Sequence, residues 1–276
     1  MSRAQSWKLG LIATGALCVA TALPPAAADT VLITGANSGL GLEFAKQYAA
    51  LGWTVIATHR RSGVPESLAP LVAAYPQTVR VERMDVASIP EVEALAAKLE
   101  DVAIDVLINN AGVYSDRSAC LDEACTGASN TQTFGNIDYE LFDTIMAVNV
   151  RGPLIVSESF IDHVRAGRQK KIIAISSTNG SVSAPLPGPH GIAYRASKAA
   201  LNRAMQLVAV KEKDEGVLVL MLHPGTVVTE RLERNRGLPG TVEMAPSVTG
   251  MIKVIAEATM ADTGKFLQYD GTAAPW

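Results

Sequence analysis

The chain is poor in aromatic residues, 5% of 276, and has only three cysteines. Its four histidines, His59, His163, His190 and His223, are scattered, and no His-Glu-x-x-His or Cys-x-x-Cys occurs. The sequence therefore offers no metal-ligand spacing and predicts no metal site. Positive charge is not in excess either: 24 basic residues face 27 acidic ones, for a net charge of −3. That balance argues against nucleic acid or anionic lipid as a partner. Internal repeats and low-complexity tracts are absent. What is present is a 48% hydrophobic composition, enough for one sizeable α/β domain.

Residues 1–28 stand apart. Arg3 and Lys8 precede an apolar, acid-free run over residues 9–23, and Pro24-Pro25-Ala26-Ala27-Ala28 follows. This is the layout of a secretory signal peptide cut after Ala28, and the run is too short for a comfortable membrane span. A retained N-terminal anchor, or a start placed upstream of a cytoplasmic protein, are the competing readings. Cleavage would leave residues 29–276 with 22 basic against 27 acidic groups, and would place the domain in the periplasm or outside the cell. Cys120 and Cys125 share one polar segment. An oxidising compartment could bridge them, and a reducing one would keep two thiols.

From Asp29 onward, strand and helix patterns alternate. Residues 30–34 form an apolar run that ends at Gly35-Ala36-Asn37-Ser38-Gly39-Leu40-Gly41, after which Leu42, Phe44, Ala45, Tyr48 and Ala49 keep a helical period. A glycine turn between a first strand and a helix lets backbone N–H groups approach an anion at the helix N-terminus, so it predicts a pyrophosphate cradle. A second strand, residues 53–58, closes on His59-Arg60-Arg61. In dinucleotide folds an acid at that point binds the ribose 2′-hydroxyl of NAD, whereas an arginine accommodates the 2′-phosphate of NADP. No acid stands here, so Arg60 predicts NADP(H), with NAD(H) as the alternative.

Further strands are expected at residues 78–84, ending in Asp85-Val86, and at 104–108, running into Asn109-Asn110-Ala111-Gly112. Three more are expected at 171–176, followed by Ser177, at 217–222, broken by Pro224-Gly225, and at 265–268. Helices are expected at 89–99, at 138–163 with an interruption near Val148-Asn149-Val150, at 194–210 and at 247–259. Residues 114–136 read as a loop and 226–246 as a polar segment. Asp85 reads equally as a helix cap, and Ser177 as a turn residue.

Tyr194 and Lys198, four residues apart on a helix, share one face. An ammonium so placed can stabilise a phenolate. Bringing a tyrosine from its ordinary value near 10 to neutrality takes about 4 kcal/mol of differential stabilisation, and a tyrosine so tuned can shuttle a proton.

These features occur in one order: Thr34-Gly35-x-x-x-Gly39-x-Gly41, Asn109-Asn110-Ala111-Gly112, Asn149, Ser177, Tyr194-x-x-x-Lys198, and Pro224-Gly225 followed by Thr229. In that order the chain resembles the short-chain dehydrogenase/reductase family over essentially all of residues 30–276. The ending Gly264-Lys265-Phe266-Leu267-Gln268-Tyr269-Asp270-Gly271, with Pro275-Trp276, resembles the family's C-factor/sniffer-like carbonyl reductase branch. The resemblance implies a single-domain doubly wound α/β Rossmann fold, with a seven-stranded parallel sheet in the order 3-2-1-4-5-6-7.

It also implies NAD(P)-dependent hydride transfer between a nicotinamide and a carbonyl or alcohol. Tyr194 would be the general acid or base, Lys198 would bind the nicotinamide ribose, Ser177 the substrate oxygen, and Asn149 would support a proton-relay water. Gly35, Ser38, Gly39 and Gly41 would face the phosphates, Asp85 and Val86 the adenine, and Asn110 a ribose. Leu40, Ala111, Gly112, Pro224, Gly225, Val227 and Thr229 are implied as further cofactor contacts, and a homo-oligomer is the assembly implied. The chain departs from the family in its leader, in the enlarged loop around Cys120 and Cys125, and in a long step from Ser177 to Tyr194. The alternative function is a non-catalytic dinucleotide-binding regulator of the same fold, which would be expected to have lost the tyrosine or the lysine.

Overall fold

Thr30–Ile33, Lys171–Ile175 and Leu218–His223 carry almost no polar alternation, the pattern of strands covered on both faces. In the computed structural model every residue of all three is buried. The structure describes residues 28–114, 132–185, 188–228, 236–237 and 240–276. Its main sheet has seven strands: β1 (Thr30–Ile33), β2 (Thr54–His59), β3 (Val79–Arg83), β4 (Val106–Asn109), β5 (Lys171–Ile175), β6 (Leu218–His223) and β7 (Phe266–Gln268). They lie in the order 3-2-1-4-5-6-7, and each neighbouring pair is parallel. The expected doubly wound Rossmann topology is therefore the observed one.

The helices are α1 (Gly39–Ala50), α2 (Ala69–Ala74), α3 (Ile89–Lys98), α4 (Tyr139–Met146), α5 (Gly152–Ser159), α6 (Ile161–Ala166), α7 (Ile192–Glu212) and α8 (Met244–Glu257). Strand side chains alternate between two cores. Val31 and Ile33 join Phe44 and Tyr48 of α1 and Met251 of α8 on one face. Leu32 points the other way, to Val92 of α3, Val156 of α5 and Met205 of α7.

Four local expectations need correction. The helical stretch over residues 138–163 is three helices, and its interruption at Asn149 is a π-turn, Ala147–Arg151. The expected loop over residues 114–136 ends in an antiparallel hairpin, Gln132–Thr133 against Asn136–Ile137. The polar segment after residue 226 holds a parallel pair, Thr226–Val227 with Thr241–Val242. Helix α7 begins at Ile192, two residues before Tyr194. Among the described residues no helix is long and apolar enough to cross a membrane.

Candidate active site

The C-terminal ends of β1 and β4 part company at the rim of the sheet, and the polar groups there tie them together. Thr34 Oγ1 accepts from both Asn110 N and Ala111 N at 3.0 Å. Asn110 Nδ2 donates back to Thr34 O at 2.9 Å and to Gly35 O at 3.3 Å. The Asn110 amide that the resemblance assigns to a ribose is thus engaged in holding the glycine loop, with Gly35 lying against Ala111. A Cβ at Gly41 would stand 2.4 Å from Gly35 O, so only glycine lets α1 start this close to the loop. Gly39, at φ +54°, faces open space. Ser38 is the N-cap of α1 but its side chain caps nothing, and Leu40 is partly buried beside it. Among the described residues the first-turn N–H groups of α1 therefore have no side-chain cap, and an open glycine stands in front of them, a shape that fits a pyrophosphate.

Arg60 follows β2, is exposed, and has no hydrogen bond or ion pair among the described residues. Its neighbour His59 is 3% exposed and accepts from Arg61 N through Nδ1 at 3.2 Å. Burial and the charges of Arg61 and Arg83 hold that imidazole below its usual range. Asp85 Oδ1 accepts from Ala87 N at 3.0 Å, so it closes the turn that leads to α3. Val86 is buried against Gly152 at the start of α5.

On the other side of β4 lie the residues expected to be catalytic. Asn149, in the π-turn, is 1% exposed. Its Oδ1 accepts from Val113 N at 2.8 Å, and its Nδ2 donates to Val113 O at 2.8 Å and to Ser197 Oγ at 3.0 Å. The side chain is committed to the backbone after β4 and to α7. Ser197 in turn donates to Tyr194 O at 2.7 Å. Ser177 ends β5 and caps the 3₁₀ turn Thr178–Gly180, accepting from Asn179 N at 3.1 Å. Gly180 lets that turn lie directly on α7: a Cβ there would be 2.5 Å from the Lys198 carbonyl carbon. An added atom at Gly112 would come within 3.5 Å of Asn149 Oδ1 and 3.9 Å of Lys198 Nζ. Asn149, Ser177, Tyr194 and Lys198 are thereby brought to one place.

Electrostatically the group differs from expectation. Lys198 Nζ sits 5.8 Å from the Tyr194 ring centroid and donates to Ile175 O at 2.8 Å. Burial pulls its pKa down to about 8. The Tyr194 phenol is pushed up to about 12, chiefly by burial, while its hydrogen bond with Ser177 pulls it down and Tyr114 adds to the rise. In this structure desolvation of the phenol outweighs the pull of the Ser177 hydroxyl, so Tyr194 keeps its proton where lowering by Lys198 was expected.

Pro224 and Gly225 end β6. Ser247 Oγ donates to Pro224 O at 2.6 Å, and Gly225 packs on Val242 and Tyr269. Val227 is buried. Thr229, Cys120, Cys125 and residues 1–27 lie outside the described residues. Among the described residues no cluster of His, Cys, Asp or Glu could hold a metal ion. Sequence reasoning missed two residues at the rim. Tyr114 sets its ring edge-on to Tyr194, with centroids 4.7 Å apart at 64°, and Gln132 hydrogen-bonds both tyrosine backbones. Neither carries a local signal.

Residues 29–237 match the model of a family described as short chain dehydrogenase. C-signal of Myxococcus xanthus is 34% identical over 173 residues, 63% of this chain and 93% of its own length. The 1-hydroxy-2-glutathionyl-2-methyl-3-butene dehydrogenase of Rhodococcus sp. (strain AD45) is 32% identical, with 90% of this chain and 100% of that protein covered. The NADPH-bound carbonyl reductase from chicken fatty liver aligns with a TM-score of 0.76 at 27% identity, over 91% of this chain and 100% of that one.

Proposed function

The chain belongs to the short-chain dehydrogenase family, and on that premise we propose that this NAD(P)-dependent oxidoreductase reduces a carbonyl compound with NADPH, Tyr194 giving the proton to oxygen. The observation that carries the reading is the convergence of three groups: the Ser177 hydroxyl, which draws the Tyr194 phenol's pKa down, the phenol itself, and Lys198, whose Nζ stands 5.8 Å from the phenol ring. A bound nicotinamide supplies the hydride to the carbonyl carbon. The Ser177 hydroxyl and the protonated Tyr194 phenol both donate to the substrate oxygen, where negative charge grows. A phenol held near 12 is still protonated at neutral pH, the state a reductive proton donor needs. The Lys198 ammonium lies close enough to offset the charge of the phenolate left behind.

NADP(H) is the preferred cofactor in this reading, because exposed Arg60 stands at the end of β2 where an acid would serve NAD. The substrate class in this reading is a carbonyl compound, supported by the likeness to the NADPH-bound carbonyl reductase. Export with cleavage after Ala28 belongs to the same reading. It is supported by the leader's layout and by Asp29, whose O accepts from Thr54 N at 2.9 Å, so that the fold grips the chain from that residue onward.

The test follows NADPH oxidation by absorbance with a panel of carbonyls, in the wild type and in Tyr194→Phe. The variant should lose about 100- to 10,000-fold in kcat and bind NADPH as the wild type does. Retention of most of kcat would remove Tyr194 from its role. A wild type that binds NADPH yet turns over no carbonyl would favour the regulator.

A further inference from the structure

Helix α7 begins without a side chain to cap it. Its N-cap is Gly191, at φ +78°, so the N–H groups of its first turn need partners from elsewhere. One partner comes from outside the helix. Gln132 Oε1 accepts from Tyr194 N at 3.2 Å, while Gln132 Nε2 donates to Tyr114 O at 2.7 Å. Gln132 is 2% exposed, so both halves of its amide are used away from water, where losing a partner is costly. Tyr114, half exposed, lays its ring edge-on to that of Tyr194. One buried amide therefore spans the stretch after β4 and the turn that carries the proton donor.

We propose that Gln132 is a positioning residue: by joining the Tyr194 N–H to the Tyr114 carbonyl it fixes the Tyr194 phenol in place and holds the Tyr114 ring over it. The proposal rests on the reading of Tyr194 as the proton donor. Gln132 touches neither the phenol oxygen nor Lys198 in any recorded bond, and it is uncharged, so it acts through placement alone. Ser177, Lys198 and Tyr114 are the polar groups that face Tyr194. Release of the clamp lets the phenol move relative to Ser177 and admits water beside the ring. A misplacement of about 1 Å in such a group can lower the rate by about 100-fold.

The experiment compares the full chain with Gln132→Met, which removes both bonds, Gln132→Glu, which keeps the acceptor for Tyr194 N and loses the donor to Tyr114 O, and Tyr114→Ala, which removes the ring alone. Steady-state reduction with NADPH is read across pH, and amide hydrogen exchange at Tyr194 is read without cofactor. Gln132→Met should lower kcat by about 10- to 100-fold with the KM for NADPH near the wild-type value. The part of its alkaline loss of activity that follows the phenol, above the Lys198 step near pH 8, should begin at lower pH, because a better-hydrated phenol gives up its proton more readily, and its Tyr194 amide should exchange faster.

Gln132→Glu should keep that amide protected. Tyr114→Ala should also keep it protected, yet shift the alkaline limb in the same direction as Gln132→Met. Should Gln132→Met fail to fold, the other two variants still decide: Gln132→Glu breaks the link to Tyr114 and should lower kcat, so a wild-type kcat there, or an unmoved pH limb in Tyr114→Ala, overturns the proposal. So does a folded Gln132→Met with wild-type kcat, pH limb and exchange. If Tyr194→Phe is inactive while these variants behave as wild type, only the role of Gln132 falls. An active Tyr194→Phe instead removes the proton-donor reading itself.

Discussion

The two sides of the cleft between β1 and β4 are built on opposite means. On the α1 side the loop works by lacking side chains: Gly41 admits a backbone oxygen where a Cβ would be 2.4 Å away, and Gly39 leaves open space. On the α7 side the wall is made of polar side chains withdrawn from water, with Asn149 at 1%, Ser197 at 0% and Lys198 at 6% exposure. The first half is limited by shape, the second by desolvation. A lesson follows for mutation. The α1 side should fail by overlap, at any pH, and the α7 side by lost partners and altered protonation, in ways that depend on pH.

The sharpest way to break this contrast is Gly41→Ala. The added methyl meets the Gly35 carbonyl and the Asn110 amide, and overpacking of this kind lowers stability by about 1–3 kcal/mol. Thermal melts should show the loss, unchanged between neutral and mildly alkaline pH, and NADPH titration should show weakened binding. Wild-type affinity in this variant would end the shape account. Arg60→Ala is milder, since the side chain is exposed and makes no hydrogen bond or ion pair among the described residues. It should lower kcat/KM for NADPH by about 10- to 100-fold, the worth of a charge-assisted hydrogen bond, and leave NADH unaffected. Equal losses with the two cofactors would remove Arg60 from phosphate recognition.

The effect on the desolvated side is absent at neutral pH and emerges only on acidification. His223, 8% exposed, pairs through Nε2 with Thr178 Oγ1 at 3.3 Å, and its buried Nδ1 has no partner among the described residues. Burial pulls its pKa from 6.5 down to about 4. As pH falls through this window, the unfolded chain takes up a proton that the folded protein refuses, so stability drops between about pH 6.5 and about pH 4. Denaturant titrations of His223→Gln across that range should show a shallower fall than those of the wild type. Identical slopes would mean that His223 titrates alike in both states.

What could be read from the sequence follows the same division. Strand β1, the glycine turn, β4 with Asn109-Asn110, and the Tyr194–Lys198 pair announce themselves because each is encoded by neighbours in the chain, through periodicity, a glycine spacing or a one-turn separation. The topology came from the resemblance those motifs carry. Gln132 could not be found that way: a glutamine between polar residues has no periodicity, and its meaning arises only when the hairpin is folded against α7. Asn149 was visible as a polar residue in an apolar helix, but the π-turn that aims it at Val113 was not. The upward shift of Tyr194 leaves no trace in the spacing for a related reason. Spacing reports that a lysine is near, whereas burial, which prevails, is a property of the whole fold. Helix α2 escaped notice because six residues, Ala69–Ala74, are too few to establish a period.

The position of β1 also bears on how the protein is made. It is the first strand to be synthesised and it lies in the interior of the sheet, with Thr30 beside Thr54 of β2 but Val31 beside Val106 of β4. At about 5–20 residues per second, β1 emerges several seconds before its second neighbour exists. Throughout that interval one edge of a strand that is buried in the finished fold has nothing to pair with, an opening for association between nascent chains. The cleft that defines the enzyme cannot begin to form until that wait is over, so slow translation ahead of β4 would prolong the most vulnerable state of the chain.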